Sequence, residues 1–242
     1  MFFALFIVGM VVMLLAQVAP FPFILDSVAP APTLWSMPEV AGTPTVYLTF
    51  DDGPNPTATP AVLDALAAHD AVATFFLIEH YVTEETAPIV RRMFDEGHAV
   101  GLHSHTRALV ELVPDDLARR LTEMADRIDD LAGERPCPVF RPHAGWRSWS
   151  MFVGLDRADH ALVGWGWGLW DFNWFRARDP NALSERLAGR VSDGDIIVIH
   201  DGHHQDPRAD RRYASAAAAL LVPALRDKGF SLGRICHQGS TK

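Results

Sequence analysis

Residues 45–54 read TVYLTFDDGP, an apolar and β-branched run that breaks into two carboxylates and a Gly-Pro turn. The run predicts a buried strand over Thr45 to Phe50, because β-branched and aromatic residues favour strands and Gly-Pro ends them. Asp51 and Asp52 then lie side by side where that strand ends. Two carboxylates this close do not ionise independently, so one commonly binds a cation while the other carries or shares a proton. A solvated turn is the alternative interpretation, and the other polar clusters of the chain decide between the two.

Six further strand-like runs follow, with amphipathic helices in the intervals between them. The runs are Ala73 to Ile78, His98 to Leu102, Pro138 to Phe140, Ala161 to Gly166, Asp195 to His200 and Phe230 to Cys236. The clearest helix is predicted over Pro114 to Ala132, where apolar residues recur at spacings of three and four. Parallel strands need crossover connections and bury both faces, so this alternation predicts a parallel α/β architecture.

Polar side chains follow the predicted strands at their carboxyl ends. They are Asp51 and Asp52 after the first strand, His103 after the third, Arg141 after the fourth, Asp171 beyond the fifth and His200 at the end of the sixth. In a (β/α) barrel those ends converge on one mouth, whereas an open sheet spreads them along an edge. We therefore predict an α/β fold, a distorted (β/α) barrel of about seven parallel strands forming a single domain after an N-terminal apolar segment.

The composition limits the partners of the chain. The 242 residues include 21 Lys and Arg against 30 Asp and Glu, a formal net charge of −9. This charge disfavours nucleic acid and anionic membrane surfaces as partners and fits a neutral or cationic substrate. No linker divides the chain after the Pro-rich stretch Pro20 to Pro44. We predict a signal peptide or membrane anchor over 1–25, a Pro-rich linker over 26–42 and one domain over 43–237.

The first 25 residues contain no charged side chain and are apolar on every side of a helix. Their length is close to the ~20 residues that span the core of a bilayer, so they predict a membrane-directing segment and a location at the cell envelope. Ala29-Pro30-Ala31 is small enough for cleavage, although a basic start and a clean Ala-x-Ala site are missing. An anchored and a secreted protein both remain open, as do a disulfide and two free thiols at Cys137 and Cys236.

Taken together, the motifs resemble the polysaccharide deacetylase family, the NodB-homology or carbohydrate esterase family 4 domain, over about residues 43 to 237. Three stretches match its first, third and fifth motifs in order and spacing: Thr49 to Pro54, Phe140-Arg141-Pro142-His143-Ala144-Gly145 and Ile197-Val198-Ile199-His200-Asp201. Trp165 followed by Asp171-Phe172 is similar to the fourth motif, with Phe172 in place of its usual Trp.

The resemblance implies hydrolysis of an N-acetyl or O-acetyl group on a carbohydrate, so the expected partner is an acetylated glycan. It implies Asp51 as the general base that takes a proton from water, oriented by Arg141. It implies His200 as the general acid, with Asp171 orienting its imidazole, and the backbone N–H of Ala144 as part of an oxyanion site. Physical chemistry agrees, because a cation favours an ionised carboxylate and a carboxylate favours imidazolium.

The second motif departs from the family's pattern, His-(Ser/Thr)-x-x-His, in which both histidines bind the metal. Here it reads His103-Ser104-His105-Thr106-Arg107, so an arginine stands at the second histidine position. Arginine has no lone pair and is not a metal ligand. By the likeness, the expected cofactor is a divalent metal, with zinc the first choice, bound by Asp52 and His103.

Two arrangements of this motif remain open. If the segment after the third strand stays extended, His105 points to the same side as His103 and adds a third ligand. If the segment turns helical, Arg107 approaches Asp52 and supplies at the acyl oxygen the positive charge that a metal would provide.

Four tryptophans flank Asp171: Trp165, Trp167, Trp170 and Trp174. Taken singly each is more often a core residue, but such a cluster offers flat faces that stack on sugar rings. Trp165 and Trp170 are the predicted substrate-facing members.

Two other functions are open at this point: a metal-free hydrolase of another C–N bond on the same fold, and a degenerate sugar-binding domain. The acid, the base and their orienting partners argue against the binding domain, which gains nothing from them. The apolar leader favours an envelope glycan over a cytosolic substrate.

Overall fold

The computed structural model describes residues 2–15, 24–30, 33–39, 42–171 and 179–236. These residues contain a parallel sheet whose strands are β1 (Thr45–Gly53), β2 (Thr74–Ile78), β3 (Ala99–His103), β4 (Val139–Arg141), β5 (Ala161–Leu162), β6 (Ile196–His200) and β7 (Ser231–Gly233). The strand order is β5-β4-β3-β2-β1-β6, and β7 pairs with the start of β1. The predicted parallel α/β architecture is confirmed.

The sheet curls until its two edges are joined through the chain that follows β5. There the N–H of Gly166 donates to the carbonyl of Ile196 at 3.0 Å, and the N–H of Asp171 donates to the carbonyl of Val198 at 3.0 Å. Asp171 is thereby brought beside β6 although it lies well beyond its own strand. The prediction of a distorted barrel is confirmed, and the carboxyl ends of the strands meet at one mouth.

The helices are α1 (Phe2–Leu15), α2 (Ile24–Val28), α3 (Ala58–Ala67), α4 (Ala87–Asp95), α5 (Pro114–Ala132), α6 (Trp149–Arg157), α7 (Pro180–Ala188) and α8 (Arg212–Asp227). Helix α5 has the predicted bounds, since Pro114 is preorganised for a first turn and Gly133 ends the helix at a φ of 81°. Between the sheet and the helices packed on it, Phe50 stacks on Phe75 with ring centroids 5.1 Å apart, and both side chains are fully buried. Each such side chain contributes roughly 2 to 3 kcal/mol through burial.

Part of the stretch predicted as a linker is hydrogen-bonded to the sheet. The N–H of Leu34 donates to the carbonyl of Leu162 at 2.8 Å, and the N–H of Met37 donates to the carbonyl of Gly194 at 2.8 Å. The predicted segment boundaries at 25, 42 and 237 stay predictions, and residue 237 lies outside the described residues. Helix α1 has 14 residues, and within the described ranges no helix is both long and apolar enough to cross a membrane.

Cys137 and Cys236 form a disulfide, with Cα atoms 5.3 Å apart. Cys137 precedes β4, where its N–H donates to the carbonyl of Val100 at 2.8 Å, and Cys236 follows β7. The sequence left open whether these cysteines form a disulfide or remain free thiols. The structure has the disulfide, which links the chain before β4 to the chain after β7.

Candidate active site

Asp51 and Asp52 lie on an irregular end of β1. The pairing of β1 with β2 shifts register between Asp51 and Gly53, and Asp52 has a φ of 70°. In a regular strand neighbouring side chains point to opposite faces, and a bulge re-aims one of them. A left-handed residue costs roughly 1 to 2 kcal/mol, less for Asp than for most residues. The distortion lets both carboxylates meet basic side chains of other strands.

Asp51 is paired with a guanidinium that is wholly enclosed by protein. Arg141, at the end of β4, has no exposed surface. Its Nη1 lies 2.6 Å from Oδ1 of Asp51 and 2.7 Å from Oγ1 of Thr49, and its Nη2 donates to the carbonyl of Gly164 at 2.9 Å. Burial lowers the pKa of Arg141 and the Asp51 carboxylate opposes that shift, but arginine stays charged. The predicted pair is present, and the bonds to Thr49 and Gly164 hold the guanidinium in place against Asp51.

Asp52 faces His103 at the end of β3. Oδ1 of Asp52 lies 3.2 Å from Nε2 of His103, while Nδ1 of His103 lies 2.7 Å from the carbonyl oxygen of Arg141. That carbonyl only accepts, so Nδ1 carries the proton, and a neutral ring has its lone pair on Nε2. Burial alone would raise the pKa of Asp52, but the close contact with His103 and the charges of the nearby histidines lower it.

The buried Oδ1 of Asp52 has no hydrogen-bond donor in the part of the chain that the structure describes. A carboxylate oxygen and an imidazole lone pair at 3.2 Å require a positive charge between or beside them. A proton on Nε2 of His103, donated to Oδ1 of Asp52, would provide this charge. A cation bound by both atoms would provide it as well. Carboxylate and imidazole are ligands that zinc and related divalent ions take, so the two predicted ligands fit such an ion.

Neither of the two arrangements expected for the rest of the second motif is formed in the described residues. Across the described residues, no three His, Cys, Asp or Glu side chains are grouped to bind one ion, so His105 does not join Asp52 and His103. The chain bends after β3 instead of staying extended, and the ring of His105 packs edge-on against His80 at 4.4 Å. Arg107 is exposed with its guanidinium 4.9 Å from the Trp146 ring, and no ion pair joins it to Asp52 within the described structure.

His200 is paired with Asp171 as the motifs predict. Nδ1 of His200 lies 2.5 Å from Oδ1 of Asp171, and the backbone N–H of His200 donates to Oδ2 at 2.9 Å. Burial alone would lower the pKa of His200, but the Asp171 carboxylate raises it to about 9. The ring is therefore an imidazolium at neutral pH. His200 is also the register partner of Asp51 across β1 and β6, so acid and base lie on adjacent strands.

Two buried polar groups beside the site were missed by the sequence analysis. The hydroxyl of Tyr213, at the start of α8, donates to Oδ2 of Asp171. Asp201 is fully buried with the hydroxyl of Thr59 on its Oδ2, and burial raises the pKa of Asp201 to about 7. Asp201 stood inside the fifth motif without an assigned role. A single tyrosine at a helix start, 42 residues beyond Asp171, carries no signal in one sequence.

The loop after β4 contains Ala144, which has φ 50° and ψ 20° within a 3-10 turn over His143–Gly145. A non-glycine residue in this region is uncommon and persists only where its surroundings enforce it. The backbone N–H of His143 donates to Oγ of Ser104 at 2.9 Å, which ties this loop to the second motif. The predicted oxyanion residue thus lies on a constrained turn beside His103.

The tryptophans are placed differently from one another. Trp165 is half-buried with the Arg141 guanidinium 5.8 Å from its ring. Trp170 is half-buried and meets Trp167 edge-to-face at 5.4 Å, while Trp167 is 64% exposed. Phe172 and Trp174 lie outside the described residues. Of the described members, Trp167 therefore offers the most ring surface to a sugar, although the sequence favoured Trp165 and Trp170.

The chain matches known proteins over most of its length. A model of the polysaccharide deacetylase family matches residues 39–153. A chitooligosaccharide deacetylase from Sinorhizobium fredii (strain NBRC 101917 / NGR234) is 37% identical over 198 residues, which are 78% of this chain and 89% of that protein.

Solved structures agree with this relationship. The peptidoglycan deacetylase PdaC from Bacillus subtilis has a TM-score of 0.67 at 28% identity, covering 80% of this chain and 89% of that one. A family 4 acetyl xylan esterase from Clostridium thermocellum, in complex with a cobalt ion, has a TM-score of 0.68 at 29% identity and covers 78% and 87%. The chain belongs to the polysaccharide deacetylase family, and its enzyme class is that of a carbohydrate deacetylase.

Proposed function

We propose that this protein hydrolyses the acetamide of an N-acetylated amino sugar in an envelope glycan. The observation that carries the proposal is that the base and the acid lie on the adjacent strands β1 and β6, each paired with an opposite charge. Asp51 is bonded to Arg141 at 2.6 Å, and His200 is bonded to Asp171 at 2.5 Å. The first couple favours a carboxylate base and the second an imidazolium acid at the same pH. The relatives that act on chitooligosaccharide and peptidoglycan support an N-acetylated sugar.

In the proposed reaction Asp51 takes a proton from water while the water oxygen bonds to the acetyl carbon. The resulting tetrahedral oxyanion accepts a hydrogen bond from the N–H of Ala144. The C–N bond then breaks, and the His200 imidazolium donates its Nε2 proton to the leaving nitrogen, releasing acetate and the free amino sugar. Each proton transfer accounts for roughly 100- to 10,000-fold in rate, and an oxyanion donor for roughly 3 to 4 kcal/mol.

Asp52 and His103 are the residues that would bind a divalent cation, with zinc the first choice. The support is the buried Oδ1 of Asp52, which lies 3.2 Å from a histidine lone pair. When bound, such a cation would lower the pKa of bound water toward about 7 and would polarise the acyl oxygen. His103 is oriented for this task because its Nδ1 is engaged by the Arg141 carbonyl.

The proposed location is the cell envelope, with residues 1–25 directing the chain to the membrane and the domain outside the cytoplasm. The support is the absence of charged side chains from residues 1–25 and the Cys137–Cys236 disulfide, which suits an oxidising compartment. Fractionation combined with protease accessibility tests this. A full-length protein recovered in the soluble cytosol would contradict it.

Acetate release from N-acetylated chitooligosaccharides and from O-acetylated xylan tests the reaction. Asp51→Asn and His200→Ala should each remove nearly all release, because each deletes a proton-transfer group. Asp130→Asn, on the exposed face of α5, is the control for a lost carboxylate. Circular dichroism and thermal unfolding confirm that the variants fold. Near-full activity in either site variant would refute the assigned roles, and release from xylan alone would refute the amide substrate.

A further inference from the structure

The chain before β1 packs against the active site. We call the described residues 24–30 and 33–37 the N-terminal strap, and residues 142–148 the site loop. Within the strap, Leu34 bridges to Val163 next to β5. The ring of Trp35 lies so close to Gly164 that a Cβ at that position would sit 2.3 Å from Cε3. Gly164 in turn accepts a hydrogen bond from Arg141, so the strap supports the chain that surrounds the base.

An ion pair joins the strap to the site loop. Arg147, in the site loop, has no exposed side-chain surface, and its Nη1 is paired with Oδ2 of Asp26, whose side chain is 8% exposed. The hydroxyl of Thr33 donates to the other oxygen of Asp26, and the Arg147 guanidinium lies 4.8 Å from the Trp35 ring. Removing the carboxylate of so enclosed a pair takes an opposite charge away from the buried guanidinium.

Among the described residues, several contacts hold the site loop in place. At its start His143 donates through its N–H to Ser104, and at its end the hydroxyl of Ser148 donates to the Val110 carbonyl at 2.8 Å. Between these points the Arg147 side chain reaches the strap. Ala144 has its left-handed conformation inside this stretch. Such a conformation persists only where neighbouring contacts over-determine it, so each attachment contributes to the position of the Ala144 amide.

We propose that Asp26 is a positioning residue, which through Arg147 holds the site loop and the Ala144 amide in catalytic geometry. The N-terminal strap then contributes to catalysis by holding the site loop in position. This inference rests on the proposed function for the role of Ala144. It also concerns processing, since cleavage at Ala29-Pro30-Ala31 would separate Asp26 from the domain. The active form retains Asp26.

The test uses full-length protein in detergent, with hydrogen exchange of residues 142–148 measured beside kcat and KM. Asp26→Asn should speed exchange in the site loop and lower kcat by about 10- to 100-fold with KM little changed, because displacement of a catalytic group by ~1 Å can cost ~100-fold. Glu79→Gln is the matched control. Glu79 is also buried and paired with an arginine, Arg120, outside the site loop. The Glu79→Gln substitution should leave hydrogen exchange in the site loop unchanged.

The double variant Asp26→Leu/Arg147→Met separates positioning from stability. Replacing both charges with apolar groups removes the buried guanidinium together with its carboxylate, so thermal stability should recover. The loop tether remains absent, so kcat should stay low. Recovery of kcat together with stability would overturn the proposal, as would unchanged loop exchange or unchanged kcat in Asp26→Asn.

The intact mass of protein from its native membrane or secreted fraction tests the processing claim. We expect an N-terminus at or before Asp26 in the active material. A fully active protein that begins near residue 31 would overturn the inference. If the wild type releases no acetate from any glycan, the proposed function fails, while loop exchange in Asp26→Asn still decides whether Asp26 holds the loop.

Discussion

The hydroxyl of Tyr213 donates to Oδ2 of Asp171, the oxygen opposite the one that binds Nδ1 of His200. The backbone N–H of His200 reaches the same Oδ2 at 2.9 Å. Burial alone would raise the pKa of Asp171, but the charge of His200 and these hydrogen bonds lower it. The pKa of Asp171 is therefore held low, and its position is set from both α8 and β6.

Tyr213→Phe should reduce kcat by about tenfold with little change in KM. A hydrogen bond to a charged group is worth roughly 1.5 to 3 kcal/mol, and its loss lets Asp171 bind the His200 proton more tightly. Steady-state kinetics on an N-acetylated oligosaccharide measure the effect. Tyr81→Phe is the control, because it removes a hydroxyl that donates to the backbone carbonyl of His203 instead. Equal rates in the two variants would rule out the assigned role of Tyr213.

Asp171→Asn should move the alkaline limb of the kcat profile to lower pH. A general acid must be protonated, so activity is present below the pKa of His200 and is lost as the pH rises through about 9. Without the carboxylate, the strongest influence that raises the pKa of His200 is lost while burial, which lowers it, remains, so the pKa falls. Rates measured between pH 5 and 10 should show the variant falling off at least two pH units earlier. An unshifted limb would contradict the assignment of His200 as the acid.

The strands and the polar residues at their ends were predictable because both signals are local. Short β-branched and aromatic runs located β1 through β7 to within a few residues, and β1 extends beyond Phe50 because its end is distorted at Asp52. The rule that barrel sites form at carboxyl ends brought Asp51 and His200 together, and they are register partners. The family's motifs added the identity of each group.

The errors occurred where the conformation depends on distant parts of the chain. His105 packs on His80, and Arg107 packs on Trp146 from the loop after β4. Neither contact can be predicted from the residues of the second motif alone. The motif was therefore compatible with both an extended and a helical conformation of the segment after β3. The Asp26–Arg147 pair spans 121 residues, and composition made its surroundings resemble a linker.

Replacing Cys137 and Cys236 with Ser should lower the free energy of unfolding without abolishing the fold. The bond closes a separation of 99 residues, and the chain-entropy account assigns roughly 4.7 kcal/mol to a loop of about that length, with typical losses of 2 to 5. Urea unfolding of the wild type and the double variant measures the difference. Adding a reducing agent should destabilise the wild type alone. Equal stability in the two proteins would show that the disulfide does not constrain the unfolded chain.

Arg107→His should increase the affinity for a divalent ion, although the wild-type arginine lies away from Asp52. The family has a histidine at this position, and an imidazole supplies the lone pair that a guanidinium lacks. We expect a gain of about tenfold or more, since even partners outside the coordination sphere change affinity by ~10- to 100-fold. Isothermal titration of chelator-treated protein with zinc measures it directly.

Arg107→Gln is the control that separates coordination from charge, because both substitutions remove a cation while only histidine adds a ligand. Equal tightening in the two variants would mean that repulsion by Arg107, and not a missing ligand, weakens the site. Asp52→Ala and His103→Ala should each reduce binding in the Arg107→His background, since they are the proposed ligands. Zinc affinity that is unchanged by Asp52→Ala would place the ion elsewhere and would remove the metal from the proposed reaction.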